Sequence, residues 1–183
     1  MSRFRRPSKG KKIKPTFFVF CEGKTEQLYV SFLKSQFRVS IIIDSQIAKN
    51  NITDNYIKNY KKGRPTHEKD KTFLLYDLDV PEMLEKLQAI KSTVTLVSNP
   101  CIEFWFLLHF KEQKSVITCK KCNEGLNKQM GNYSKVLIDN KMRESLVKGQ
   151  QKAINRAKKL KPLINPSSTV HLLIEELEKV KKG

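Results

Sequence analysis

Short apolar runs alternate with segments of helical spacing along the first hundred residues. Residues 15–21, PTFFVFC, predict a strand. Thr25 to Phe37 carries Leu28, Phe32 and Leu33 at helical spacing and predicts the first helix. Val39 to Ile43 predicts a second strand; its Ile41-Ile42-Ile43 run lacks alternation, as expected of a central strand covered on both faces. Ile52, Tyr56, Ile57 and Tyr60 mark a second helix, stopped by Lys61-Lys62-Gly63-Arg64-Pro65. Lys71 to Tyr76 predicts a third strand. Pro81 fits a first helical turn, Leu84, Leu87 and Ile90 continue that helix, and Thr93 to Val97 predicts a fourth strand before Ser98-Asn99-Pro100. This β-α-β-α-β-α-β order predicts an α/β fold, a parallel sheet flanked by helices.

Two of these strands run into acids. The first ends in Cys21-Glu22-Gly23-Lys24-Thr25-Glu26 and the third in Asp77-Leu78-Asp79. Ligands of open parallel sheets bind beyond the carboxyl ends of the strands, so Glu22, Asp77 and Asp79 are expected in one crevice. Crowded carboxylates raise one another's pKa unless a cation compensates. Asp77 and Asp79, two apart, point to the same side of an extended segment, and hard oxygen donors suit Mg²⁺ or Mn²⁺. Glu22 and Glu26 share a face if a helix starts near Gly23, where a phosphate can approach the backbone closely. Lys24 then sits at a helix N-terminus that already favours an anion. Each feature alone has a plainer reading, an Asx turn for the DxD and a solvated strand end for Glu-Gly.

The charge balance points to a polyanion. The 183 residues hold 36 Lys and Arg against 18 Asp and Glu, a formal net charge of +18. Residues 1–14 hold seven basic residues and no acid, and residues 141–161 hold eight against Glu144 alone. On a helix, Lys148, Lys152, Arg156 and Lys159 share one face, with Leu146, Ala153, Ala157 and Leu160 on another. Together with Lys61, Lys62 and Arg64, that face is the expected nucleic-acid contact. The apolar run after the N-terminal basic stretch is too short for a signal peptide or a membrane span, so a cytoplasmic protein without a membrane partner is expected.

Four further features stand out in the sequence. Glu103 lies in the apolar segment Ile102-Glu103-Phe104-Trp105-Phe106-Leu107-Leu108-His109-Phe110. Either it serves the crevice, as a metal ligand or the holder of a basic side chain, or it points to solvent beside a core stripe. His109 reads as a packing residue. Cys119-Lys120-Lys121-Cys122 is a zinc half-site that Cys101, His109 or a symmetry mate would have to complete; otherwise it is two thiols in a basic loop. Lys111 to Lys135 reads as a polar insertion over the site or a partner-binding loop.

CEGKTE closing the first strand and DLD closing the third resemble the Toprim domain of topoisomerases, primases and the overcoming-lysogenization-defect nucleases. SNPCIEFWFLLHF at Ser98 to Phe110 and NPSSTVHLLIEEL at Asn165 to Leu177 are similar to the RloB-like family, small Toprim proteins of prokaryotic defence loci often encoded beside an ATPase. The resemblance spans about residues 15–180. It implies a Toprim-like, Rossmannoid core over residues 15–110, followed by an insertion and C-terminal helices over 111–183 and preceded by a basic arm over 1–14. It further implies that Glu22 is a metal ligand or general acid/base, that Asp77 and Asp79 hold Mg²⁺, and that Glu26 matches a second acid of the nuclease branch. The expected activity is metal-dependent phosphodiester cleavage in an antiviral or abortive-infection system, with RNA, tRNA by analogy, ahead of DNA. A chain this short lacks room for the religating or polymerising parts of its larger Toprim relatives. The competing readings are a non-catalytic module that binds nucleic acid or the ATPase around a structural metal, and a ribosomal-RNA maturase of Toprim type. The number of metals and the oligomeric state, a homodimer included, stay open.

Overall fold

The structure is a computed structural model that describes residues 13–78, 80–135 and 137–182. Residues 1–12 of the basic arm and Asp79 therefore lie outside the described residues. Five strands form one sheet in the order β2-β1-β3-β4-β5. Strand β1 (Thr16–Cys21) lies parallel to β2 (Ile42–Ile47) on one side and to β3 (Lys71–Asp77) on the other, and β3 lies parallel to β4 (Val94–Asn99). The short β5 (Ser167–Ser168) closes the far edge antiparallel to β4. Seven helices complete the described chain: α1 (Lys24–Phe37), α2 (Asp54–Lys61), α3 (Pro81–Gln88), α4 (Ile102–Leu108), α5 (Cys119–Met130), α6 (Asn140–Lys158) and α7 (His171–Lys182).

The uninterrupted apolar runs of β1 and β3 follow from two covered faces. Successive strand side chains alternate sides. Phe17, Val19, Phe73 and Leu75 therefore enter a large cluster with α1, α4, α5, α6 and α7, while Phe18, Phe20, Leu74 and Tyr76 enter a smaller one with Ile52, Ile57 and Leu87. All seven residues of α4 are buried, as expected of a helix apolar all round. Trp105 donates its indole N–H to the Tyr29 hydroxyl at 2.8 Å, which fixes α4 against α1. Across the other side of α4, a Cβ on Gly149 would lie 2.7 Å from the His109 carbonyl oxygen, so the small residue lets α6 approach the backbone.

The structure corrects four expectations. The second strand starts at Ile42, not Val39, and lies at the sheet edge rather than its centre. Ile42 is 47% exposed, while Val39 and Ile41 pack on the large cluster from the connection after α1, which turns at Arg38 (φ 47°). Strand β5 has two residues, too few for any alternating pattern to announce it. The supposed insertion loop contains α5, with Cys122, Leu126 and Met130 as a narrow buried stripe in otherwise polar sequence and Thr118 capping its N-terminus. The two cysteines of Cys119-x-x-Cys122 thus lie on a helical turn and not in a loop. Among the described residues no helix is long and apolar enough to cross a membrane.

Candidate active site

Strand order reverses between β1 and β3: the chain steps from β1 out to β2, then back past β1 to β3. Such a switch opens a crevice beyond the carboxyl ends of the two strands. Glu22 and Asp77 occupy those ends. The Glu22 N–H donates to the Leu75 carbonyl at 3.0 Å, extending the ladder by one bond, and the Glu22 Oε2 accepts the Asp77 N–H at 2.9 Å. Asp77 in turn accepts the Ile102 N–H on Oδ1 at 2.8 Å, where α4 begins. Each carboxylate is thus held by the backbone of the next element in the sheet.

Glu26 lies at the third position of α1 and folds back, its Oε2 accepting the Gly23 N–H at 2.8 Å. This corrects one expectation: that N–H serves Glu26 and not an incoming phosphate. A Cβ on Gly23 would sit 3.2 Å from the Glu26 Oε2, a tight contact that this carboxyl would have to shift to accept. Glu103, on the first turn of α4, is buried instead of facing solvent and accepts from the Tyr133 hydroxyl at 3.3 Å. The Lys135 ammonium lies 3.8 Å from the same Glu103 Oε1, and the Lys135 carbonyl takes a 2.7 Å hydrogen bond from Thr25 on α1. The segment between α5 and α6 therefore spans from α4 to the start of α1.

The four carboxyls perturb one another. Burial, then the charges of Glu26, Glu22 and Glu103, push Asp77 up to about 9, against the opposing pull of the Ile102 N–H. Burial also raises Glu26, offset by backbone N–H donors and reinforced by Glu22 and Glu103. Without a cation, burial and like charge thus favour the protonated form of Asp77 and Glu26. Glu103 conversely raises Lys135 and keeps it charged. Among the described residues, no group of three or more His, Cys, Asp and Glu side chains is gathered tightly enough to hold a metal ion. The fourth expected acid of the crevice, Asp79, lies outside the described residues. The carboxyls present are hard oxygen donors, the type that Mg²⁺ or Mn²⁺ would take.

Other residues singled out in the sequence fall elsewhere. Lys24 is exposed at the start of α1 and donates to Gln27 at 3.1 Å. Lys61 bonds the Thr72 hydroxyl and lies 4.6 Å from the Phe18 ring centre, in the amino-terminal half of the sheet. Burial lowers its pKa. Arg64 pairs with Asp44 at 2.6 Å and stacks on Tyr60 in that same half. Lys62 is exposed, with no such tie among the described residues, and none of Lys61, Lys62 and Arg64 is brought to Glu22 or Asp77. On α6, Lys148 and Lys152 are exposed, as is Lys159 just after it, while Leu146, Ala153 and Ala157 are buried as their spacing requires. Arg156 departs from that basic face: its guanidinium donates to the Leu108 carbonyl at 2.6 Å and caps α4.

Cys101, at the N-cap of α4, faces the thiols of Cys122 and Cys119 and the carboxyl of Glu103; these contacts and burial push its own thiol far above the usual range. His109 bonds the Trp105 carbonyl at 3.0 Å, and burial holds it at about 4, a neutral packing residue. Tyr133 and Lys135 belong to the segment read as an insertion over the site, but no pattern singled them out within it, at least 30 residues past Glu103.

The two segments around Asn99-Pro100 and Asn165-Pro166 meet at the far edge of the sheet. Ser98 pairs with Ser168 in the β4–β5 ladder, their hydroxyls 3.0 Å apart, and Asn99 donates to the Leu163 carbonyl at 3.0 Å. No curated protein and no solved structure matches the chain. Residues 17–177 match the RloB-like protein family, a span that takes in every described strand and both of these segments. The chain belongs to the RloB-like family.

Proposed function

We propose that this chain is a metal-dependent nuclease that hydrolyses phosphodiester bonds as the effector of a prokaryotic antiviral system. The observation that carries the reading is an island of four buried or half-buried carboxyls, Asp77 among them raised to about 9, inside a chain of net charge +18. Evolution toward stability alone favours pairing such acids with the abundant lysines. Keeping them together serves a cation. Glu22 and Asp77 would hold it, with Glu26 and Asp79 beside them. When bound, a divalent cation supplies Lewis-acid neutralisation of the phosphoryl oxygens and a water acidic enough to act near neutral pH.

The chain's own residues supply the rest. The backbone N–H groups of Asp77 and Ile102 fix the Glu22 and Asp77 carboxyls before substrate arrives, so little reorganisation is needed during reaction. Lys135, held by Glu103, offers a cation to the incoming phosphate at the rim. Lys148, Lys152 and Lys159 give an exposed basic face that grips a polyanionic backbone without reading its sequence. RNA, with tRNA first, is the proposed substrate class, since a folded RNA presents many phosphates to a small basic protein. A cytoplasmic site of action and an ATPase partner belong to the same proposal.

Purified chain incubated with end-labelled total tRNA and with plasmid DNA, in Mg²⁺, in Mn²⁺ and in chelator, tests it beside Glu22→Ala. Metal-dependent cuts absent from the variant are expected. Cuts that persist in chelator or in Glu22→Ala overturn the proposal.

A further inference from the structure

Three of the four cysteines converge although they come from distant parts of the chain. Cys119 opens α5 and is partly exposed, Cys122 lies one turn later and is wholly buried, and Cys101 approaches both from the N-cap of α4. The fourth, Cys21, is buried with its sulfur 3.9 Å from the Val19 carbonyl. None of the three converging thiols is in a disulfide. An accessible thiol followed three residues later by a buried one, at the start of a helix, is the arrangement in which one sulfur meets a solvent oxidant and the other resolves the product. Lys135 is near enough to Cys119 to sense its charge, so a thiolate at Cys119 faces a lysine as well as the amino end of a 12-residue helix.

We propose that Cys119 and Cys122 form a peroxide-reactive dithiol, with Cys119 as the attacking sulfur and Cys122 as the resolving one. In the first step the Cys119 thiolate attacks one oxygen of hydrogen peroxide. The O–O bond breaks, water leaves after proton uptake, and Cys119 becomes a sulfenic acid. In the second, the Cys122 sulfur attacks the Cys119 sulfur. The S–S bond forms, the S–O bond breaks, and the hydroxyl departs with the Cys122 proton as a second water. Two electrons pass from the dithiol to the peroxide. Side chains three apart on a helix have Cβ atoms roughly 5–6 Å apart, and a disulfide needs about 3.5–4.5 Å. The first turn must therefore tighten, a change that helix ends make readily by local 3₁₀ winding. A bond formed under such adjustment is easily reduced again.

The dithiol has a structural neighbour of consequence. Cys101 begins the helix whose Ile102 N–H holds Asp77, so closing the pair alters packing one residue away from the carboxyl group. The sulfur chemistry itself does not depend on the nuclease reading and is tested apart from it. The full chain is treated with equimolar hydrogen peroxide, denatured, alkylated and weighed, and its tryptic peptides are mapped. Trypsin cuts at Lys120 and Lys121, so a Cys119–Cys122 bond joins two separate peptides. Two alkylated cysteines in place of four, this joined pair, and full recovery with dithiothreitol are expected. Cys122→Ser should accumulate a dimedone-reactive Cys119, and Cys119→Ser should consume peroxide at least tenfold more slowly. Four alkylated cysteines after treatment, a bond to Cys101, or stoichiometric zinc on the thiols of the purified protein would each overturn the proposal.

Discussion

The two ends of the sheet treat their charges in opposite ways. In the amino-terminal half, acids meet partners: Asp44 takes the Arg64 guanidinium at 2.6 Å and the Tyr60 hydroxyl at 3.0 Å, Asp70 accepts the backbone N–H groups of Thr16 and His67, and Lys71 pairs with Glu176. At the carboxyl end, Glu22, Glu26, Asp77 and Glu103 lie within reach of one another's charge, with Lys135 approaching Glu103. The first arrangement lowers the cost of burying polar groups. The second raises it, and Asp77 records the cost as a carboxyl pushed up to about 9. Satisfied charges at one end and frustrated ones at the other separate a scaffold from the end to which the proposed function assigns the cation.

The sharpest way to break this contrast is Asp77→Asn. Cleavage activity is expected to fall on the order of a thousandfold, the several kcal/mol that metal-assisted charge stabilisation supplies, while circular dichroism stays unchanged. Lys135→Gln should lower activity less, by roughly 10- to 100-fold, through the loss of one cation near the phosphate; steady-state cleavage rates measure it. An unchanged rate in Lys135→Gln would remove Lys135 from the site.

Next in size is a pH effect on stability. Asp77 binds its proton more tightly folded than unfolded, so its contribution is fully present below the unfolded value and is lost as pH rises toward about 9. In metal-free protein, Asp77→Asn should therefore gain Tm relative to the parent, by an amount that grows from pH 5 to pH 9. Mg²⁺ or Mn²⁺ should raise the parent's Tm and not the variant's. Calorimetry across that pH range, with and without metal, follows both. The smallest effect belongs to the other end: Asp44→Asn weakens a partly exposed pair and should cost at most about 1 kcal/mol with activity intact, by denaturant titration and cleavage assay.

Much of the scaffold end could be read from the chain because strands covered on both faces write themselves as continuous apolar runs. The runs over Phe17–Cys21 and Lys71–Tyr76 did so. The same logic misread Ile41-Ile42-Ile43, since Ile41 packs on the core from the connection while Ile42 and Ile43 open an edge strand, and the run looks like a central strand until pairing partners are known. Glu22 and Asp77 were legible as acids directly after apolar strands. The fold-back of Glu26 onto Gly23 was only half legible, because shared helix faces do not say which donor a carboxylate will take. For Tyr133 and Lys135 only the segment was legible, as an insertion over the site or a partner-binding loop: their contacts depend on how it runs from α4 to α1, and no local periodicity encodes a tertiary crossing. Arg156 misled for the same reason, since helical spacing assigns it to a basic face while the nearby Leu108 carbonyl claims its guanidinium.

The closure of the β4 edge by Ser167–Ser168 has a consequence for synthesis on the ribosome. Glu22 is made early, but β5 and α7, which seal the sheet and the large cluster around α4, come about 149 residues later (171 minus 22). At about 5–20 residues per second, roughly 7–30 s separate the two. A growing chain in that interval carries the acids without the finished walls that hold them, so the carboxyl cluster takes its final surroundings only once α7 has docked.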